Sequence, residues 1–529
     1  MSNKNEREPK KQPVSDDVIS IKLKGDSYQQ TLNGELIDIN NVAEHFAKNS
    51  NYAEILPSRL KGAQLFLHPL QNEGIFEVID SVTQQRKNLS FDQMYSLSVY
   101  ASMGVNQAVY RLVAPKIRFI APSPEFATRA GFYASMGNLD QDFRIPFVAT
   151  DQKTTQRLSV ALLTMIATKE AYVGLTAEEI AGFVAGINEI DTFIRLKSSS
   201  PISHVSVMGG TREHREDKNL KVLDPTILTS IVLANFDNTY TQVFYQNKYP
   251  TSYSYSSPVS SQIALEKFGI RTDQNSPEAL SFLLSNTHLL FTSAHTTKTI
   301  HALSYLLQGE LLDHILLPLA LPFSTETPIY AQIGANRHIS PETLINTMII
   351  LRNNHIQHYA NSIAYAGLNI SVDNDQNIAL DSLQTQVVID GVAIPPYSTI
   401  AAFLIDGKNS GTYVIQPDDF MEPETLSSLD FNKLYVQQEP EAINVANQET
   451  IMGKDSAKAA YVAMHAALGM FVRKYSNLPD ALDSETHRVN RTMLRTCFSQ
   501  VYESIKAGDA QKKLHEVIEV SKDSLKLNK

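Results

Sequence analysis

Few residues of this chain are of types that do chemistry, and none stands at a spacing that defines a reaction by itself. HExxH, CxxC, GxSxG and Walker patterns are all absent. Zinc hydrolysis, dithiol exchange, a nucleophile elbow and a P-loop therefore have no local signature. What remains is small and neutral. Met208-Gly209-Gly210-Thr211 sets two glycines together, which lets a backbone approach a phosphate or simply makes a turn. Tyr249, Ser252, Tyr253, Ser254 and Tyr255 form a hydroxyl- and aromatic-rich run. Such a lining suits stacking and neutral hydrogen bonds better than pyrophosphate; the alternative is a drifted surface loop. His355 and His358 lack partner ligands and read as surface residues, Asp373 and Asp375 as a solvated loop, and the single cysteine, Cys497, as a buried, inert thiol.

These residues must be positioned by regular elements. Residues 1–17 are polar and charged and are expected to be a disordered tail, since they bury too little apolar area to offset ordering entropy. VISIKLKG (18–25), AQLFLHP (63–69) and GIFEVID (74–80) read as strands of an N-terminal α+β cap over 18–86. A helical subdomain follows over 87–200, with a Pro- and Gly-bearing insertion at 114–150. It opens on LSFDQMYSLSVYASMG and contains a helix pair over 154–189. There Thr176 and Glu179 make a capping box, and Ile180, Phe183, Val184 and Ile187 repeat as a core-facing stripe. Ser276-Pro277-Glu278 and Ser340-Pro341-Glu342 start two more helices with a cap, a proline at the first position and an acid near the positive dipole end. The apolar runs KTIHALSYLL, PIYAQIGA and GTYVIQP lie among helices, so the expected class is α/β layers. The α/β domain spans 201–525, with about 265–310 returning to the helical subdomain.

Composition bounds the function. With 529 residues, 43% hydrophobic and 19% charged, the chain is an ordinary globular one of several domains. A net charge of −10 argues against a general nucleic-acid grip. One cysteine, no apolar leader and no run of about 18 apolar residues lead to the expectation of a cytoplasmic protein outside the membrane.

Several segments together resemble anthranilate phosphoribosyltransferases of glycosyltransferase family 3. Ser256 and Ser257 precede a helix ending Leu265-Glu266-Lys267-Phe268-Gly269, followed by a loop from Phe291 to His295. Gly174, Thr176, Glu178, Glu179, Ile180, Ala181 and Gly182 match that family's helix start. Gln416-Pro417-Asp418-Asp419-Phe420 resembles its strand exit, Asn444 an asparagine that starts a helix, and 451–468 and 505–519 its closing helices. The pieces are colinear over 88–113 and 154–520. The resemblance implies a helical subdomain packed on a larger α/β domain, and a homodimer through the former. It also implies pentosyl transfer from phosphoribosyl pyrophosphate, which asks a protein to position two substrates and stabilise charge.

The same resemblance shows what is missing. Carried over residue by residue, it marks Gly209, Gly210 and Thr211 as a phosphate turn, Thr226 as a hydroxyl at a helix start, Ser256 and Ser257 as the paired serines, and His295 as a loop histidine. Asp224 beside Thr226 would repel a phosphate. The family's basic run falls on Tyr249–Tyr253 with its cations gone, and Lys248 stands one residue away. The acidic pair that holds magnesium falls on Asn369 and Ile370, and the acceptor-binding arginine near Leu306. The expectation is therefore a divergent member with lost or altered pentosyl transfer, acting as a dimeric binding or assembly protein for a phosphorylated sugar or a protein partner. The alternatives are a pentosyltransferase or phosphorylase with a changed donor or acceptor and, less supported, a nucleic-acid-binding paralogue. No cofactor is expected, with Mg2+ only where transfer is retained, and no catalytic residue is assigned.

Overall fold

The fold is a computed structural model that describes residues 19–24, 27–32, 35–38, 88–105, 160, 163–166, 168–170, 173–190, 196–207, 214–215, 220–243, 261–272, 274, 276–293, 319–335, 339–368, 387–389, 391–437 and 439–527. Strands β1 (Ile19–Lys24), β2 (Ser27–Leu32) and β3 (Glu35–Asp38) form an antiparallel meander. The first was expected; the expected strands at 63–69 and 74–80, and the 114–150 insertion, lie outside the described residues.

Helix α1 (Phe91–Val105) packs along α2 (Ala177–Ile190). The capping box forms as its spacing predicts. Thr176 N donates to Glu179 Oε2 at 2.9 Å, and Glu179 N to Thr176 Oγ1 at 3.3 Å. The other carboxylate oxygen of Glu179 accepts from Leu89 N at 2.7 Å and pairs with Lys169, whose Nζ also reaches Asn88 Oδ1 at 2.9 Å. One buried acid thus joins three helix ends, and the stripe Ile180, Phe183, Val184 and Ile187 is fully buried.

The remaining elements build one large sheet, a small three-stranded sheet and the helices that cover them. In chain order they are β4 (Ile202–Ser206), β5 (His214–Arg215), β6 (Leu220–Val222), α3 (Thr226–Leu233) and β7 (Thr239–Val243). Next come α4 (Ser261–Phe268), α5 (Pro277–Thr287), β8 (Leu289–Ser293), β9 (Ile329–Gly334), α6 (Pro341–Asn353) and β10 (Ser362–Leu368). Strands β11 (Val387–Ile389), β12 (Thr399–Ile405), β13 (Lys408–Ile415) and β14 (Tyr435–Gln437) follow. Helices α7 (Pro440–Ile451) and α8 (Ser456–Lys474), strands β15 (Leu482–Asp483) and β16 (Arg488–Val489), and helices α9 (Arg491–Lys506) and α10 (Asp509–Ser524) close the chain.

The large sheet has the order β15-β16-β13-β12-β10-β9-β4-β7-β8, with β11 on β10, and the small sheet the order β14-β6-β5. Strands β8, β7, β4, β9 and β10 are mutually parallel; β12 and β13 continue antiparallel. Side chains alternate between two cores, as strand geometry demands. Ala364, Ala366 and Leu368 face α1, α2 and α6; Ile363 and Tyr365 face α3, α8, α9 and α10. Helix α4 packs on α7, and α5 on α10 and β8.

Both Ser-Pro-Glu starts are capped: Ser276 Oγ accepts from Ala279 N and Ser340 Oγ from Thr343 N, each at 3.1 Å. Asn444 is a correction. Helix α7 starts at Pro440 after Glu439, so Asn444 lies a turn inside it. Glu439-Pro440-Glu441 keeps the proline at the first position and the acid after it, but the Glu439 side chain makes no capping hydrogen bond.

Candidate functional site

The parallel strands share a direction, so their carboxyl ends share an edge. From β4 the chain proceeds to β7 on one side, while β9 lies against β4 on the other. That reversal makes the carboxyl ends of β4 and β9 the topological switch point, where open α/β sheets take ligands. Gly209, Gly210 and Thr211 come shortly after β4 in sequence, Lys248 after β7 and His295 after β8. These residues, with Ser256, Ser257, Asn369, Ile370, Asp373 and Asp375, lie outside the described residues. Of the predicted site residues, Thr226 alone is described.

Thr226 opens α3, a helix buried along its whole length. Its N–H donates to Asp224 Oδ1 at 2.9 Å, so a carboxylate holds a helix end that would otherwise attract an anion. The Thr226 and Thr229 hydroxyls are buried and have no hydrogen-bond partner among the described residues. The hydroxyls of Ser230 and Thr241 meet, and their two protons are shared among that contact, Thr226 O at 2.8 Å from Ser230 Oγ and Val205 O at 3.1 Å from Thr241 Oγ1. Hydroxyls therefore tie the first turns of α3 to β4 and β7. The first turn of α3 carries no cation, and a neutral, hydroxyl-bearing ligand suits it better than a polyphosphate.

A second group was missed by sequence reasoning. His465 sits in the alanine-rich run YVAMHAAL of α8 and is fully buried. Burial holds its imidazole down at about 3, so it is neutral. Val392 N donates to Nε2 at 3.4 Å. Nδ1 then carries the proton and donates to Tyr365 Oη at 2.9 Å. Gln332 Nε2 donates both to Tyr365 Oη at 2.8 Å and to His465 O at 2.7 Å. β9, β10, α8 and the segment at Val392 are thereby joined by one polar chain. The signal in the sequence is a lone histidine on an apolar helix face, which ordinarily marks a satisfied core histidine.

Among the described residues no group of three or more His, Cys, Asp or Glu side chains is placed to hold a metal ion. No described helix is long and apolar enough to cross a membrane. Cys497 is buried, and burial pushes its thiol up to about 12, which keeps it protonated and inert.

A helical pair on a ten-stranded mixed sheet whose parallel strand order reverses at β4–β9 is an anthranilate phosphoribosyltransferase-like fold. The chain is similar to anthranilate phosphoribosyltransferase from Saccharomyces cerevisiae in complex with 4-fluoroanthranilate, with TM-score 0.52 and 11% identity over 88% of this chain and 99% of that one. It is also similar to the anthranilate phosphoribosyltransferase of Thermus thermophilus, with TM-score 0.49 and 13% identity over 85% of this chain and 99% of that one. No protein-family model and no curated protein matches the sequence. The likeness to the yeast enzyme carries the fold and not the activity.

Proposed function

We propose that this protein is a dimeric binding or assembly protein on a phosphoribosyltransferase-like scaffold, with pentosyl transfer lost or altered and a phosphorylated sugar as its ligand. The observation that carries this reading is the Asp224 carboxylate on Thr226 N, which occupies the helix end where a donor phosphate would otherwise be received. The replacement of the basic run by Tyr249–Tyr253, and of the metal acids by Asn369 and Ile370, supports it from the sequence. The negative net charge weighs against nucleic acid as the partner.

The test follows anthranilate fluorescence with purified protein, phosphoribosyl pyrophosphate and magnesium, alongside calorimetry with ribose 5-phosphate and light scattering for the dimer. No turnover, no magnesium-linked gain in affinity for the pyrophosphate donor, measurable ribose 5-phosphate binding and a dimeric mass are expected. Turnover near one per second would overturn the reading. A second reading, a pentosyltransferase or phosphorylase with a changed donor or acceptor, is favoured by the unpartnered Thr226 hydroxyl. Phosphate-dependent cleavage of a nucleoside would establish it.

A further inference from the structure

The carboxyl edge of the sheet at the β4–β9 switch point is crossed by the protein's own chain. β9 gives its last bond to β10 when Ala335 N donates to Tyr365 O at 2.8 Å. Immediately beyond, Gly367 and Leu368 pair with Ile389 and Val387 of β11. Gly367 pairs on its other side with Thr399 of β12, so β11 lies on the β9 side of β10. β11 therefore stands in the sheet where β9 would continue, past the carboxyl end of β9.

The chain then runs on to β4. A Cβ on Gly391 would stand 3.0 Å from Cγ1 of Val207, the first residue beyond β4, and 2.4 Å from His465 Cε1. Gly391 has φ +83°, a backbone state that glycine tolerates and other residues resist. Val392 and Ala393 are buried. Val392 N is held by His465 through a long bond of 3.4 Å, and Ala393 N by Thr399 Oγ1 at 2.8 Å. Ile394 ends the crossing in a small core with Leu434, Tyr461 and Val222, the last of these two residues before Asp224. Residues 387–389 and 391–394 thus lie over the carboxyl ends of both strands that define the switch point.

We propose that this segment is an autoinhibitory strap: it occupies the carboxyl edge at the β4–β9 switch point and must lift from Val207 and His465 before a phosphorylated sugar enters. The inference rests on the proposed sugar-phosphate reading and adds its regulation. Its seat is built for close fit at Gly391, and its hold at Val392 is weak by distance. A site that is open for a small fraction of the time shows an affinity reduced by that fraction.

The test uses Gly391→Ala in the full-length protein. The added methyl meets the His465 ring and Val207, so it unseats the strap from within. Ribose 5-phosphate is the probe, with calorimetry for affinity and amide exchange at Val392 and Ala393 for the strap. Gly391→Ala is expected to bind about tenfold tighter than the unaltered protein. Both amides are expected to exchange faster in the variant, and in the unaltered protein on saturation with the probe. Should Gly391→Ala fail to fold, Thr399→Val, which removes the bond to Ala393 N, is expected to give the same changes at roughly threefold. Faster exchange with unchanged affinity overturns the strap and leaves the sugar-phosphate reading standing. No binding by either protein, with the strap loosened, overturns both.

Discussion

A side chain on Gly186 would begin 1.8 Å from the hydroxyl oxygen of Ser98. One turn earlier, a Cβ on Gly182 would stand 2.2 Å from Phe91 O. Helices α1 and α2 therefore meet backbone to backbone, through two glycines four positions apart on one face.

Gly186→Ala is expected to destabilise the protein despite alanine's better helix propensity. The gain from propensity is about 1 kcal/mol. Overpacking costs roughly 1–3 kcal/mol, and a contact this short against a second helix belongs at or above the top of that range. Urea denaturation is expected to show a net loss of about 2 kcal/mol or more. Ser98→Ala is expected to recover only part of it, because Tyr95 O also lies 2.7 Å from the new methyl position. Unchanged stability in Gly186→Ala would mean that α1 and α2 can slide apart at no cost.

His465 sets an acid limit. Its folded-state value of about 3 lies below the ordinary histidine value. The unfolded chain binds the extra proton first as pH falls, so stability is lost through the window from about 6.5 down to about 3. Between pH 7 and pH 5 this one group is expected to remove about 2 kcal/mol. Denaturation of His465→Gln at the two pH values measures it: the variant's loss is expected to be smaller by that amount.

Glu170 works in the opposite direction. Its carboxyl oxygens are buried without hydrogen-bond partners among the described residues, and burial pushes the group up to about 9. The folded state therefore holds the proton more tightly than the unfolded one. Stability is lost as pH rises from about 4.5 towards about 9. Glu170→Gln, which cannot ionise, is expected to be more stable than the unaltered protein at pH 7 by on the order of 3 kcal/mol, and little different at pH 4. Equal stability curves would show that Glu170 finds a compensating cation.

Asp224→Asn keeps a cap for Thr226 N and removes the charge. Calorimetry is expected to show ribose 5-phosphate binding about two- to fivefold tighter, the size of one helix-end charge effect. Weaker binding would mean that the carboxylate itself contacts the sugar.

Much of the helical framework was legible because its signals are local. The Thr176–Glu179 box and the Ser276 and Ser340 starts need only their own neighbours, and they form as the spacing predicts. The short strands β5, β6, β14, β15 and β16 were not legible. Two or three residues carry no period, and tertiary pairing alone makes them strands. His465 was invisible as a site because its partners Gln332, Tyr365 and Val392 are far away in sequence. Of the candidate ligand residues, Thr226 was located correctly at a helix start, while its charge environment depends on Asp224 turning its oxygen forward onto Thr226 N.

Strand β10 is buried at all seven positions and divides its side chains between the two cores. It also pairs with three neighbours, β9 and β12 in continuous register and β11 across an irregularity at Gly367 and Leu368. A substitution within it disturbs one core at one point. Insertion or deletion of a single residue would turn every later side chain to the opposite face and exchange both linings together. The length of this strand is therefore more tightly fixed than its letters, which need only stay apolar and fit one core at a time. Two sequences that meet that constraint can share an architecture with few letters in common, as where 11% identity coexists with a likeness spanning 99% of another chain.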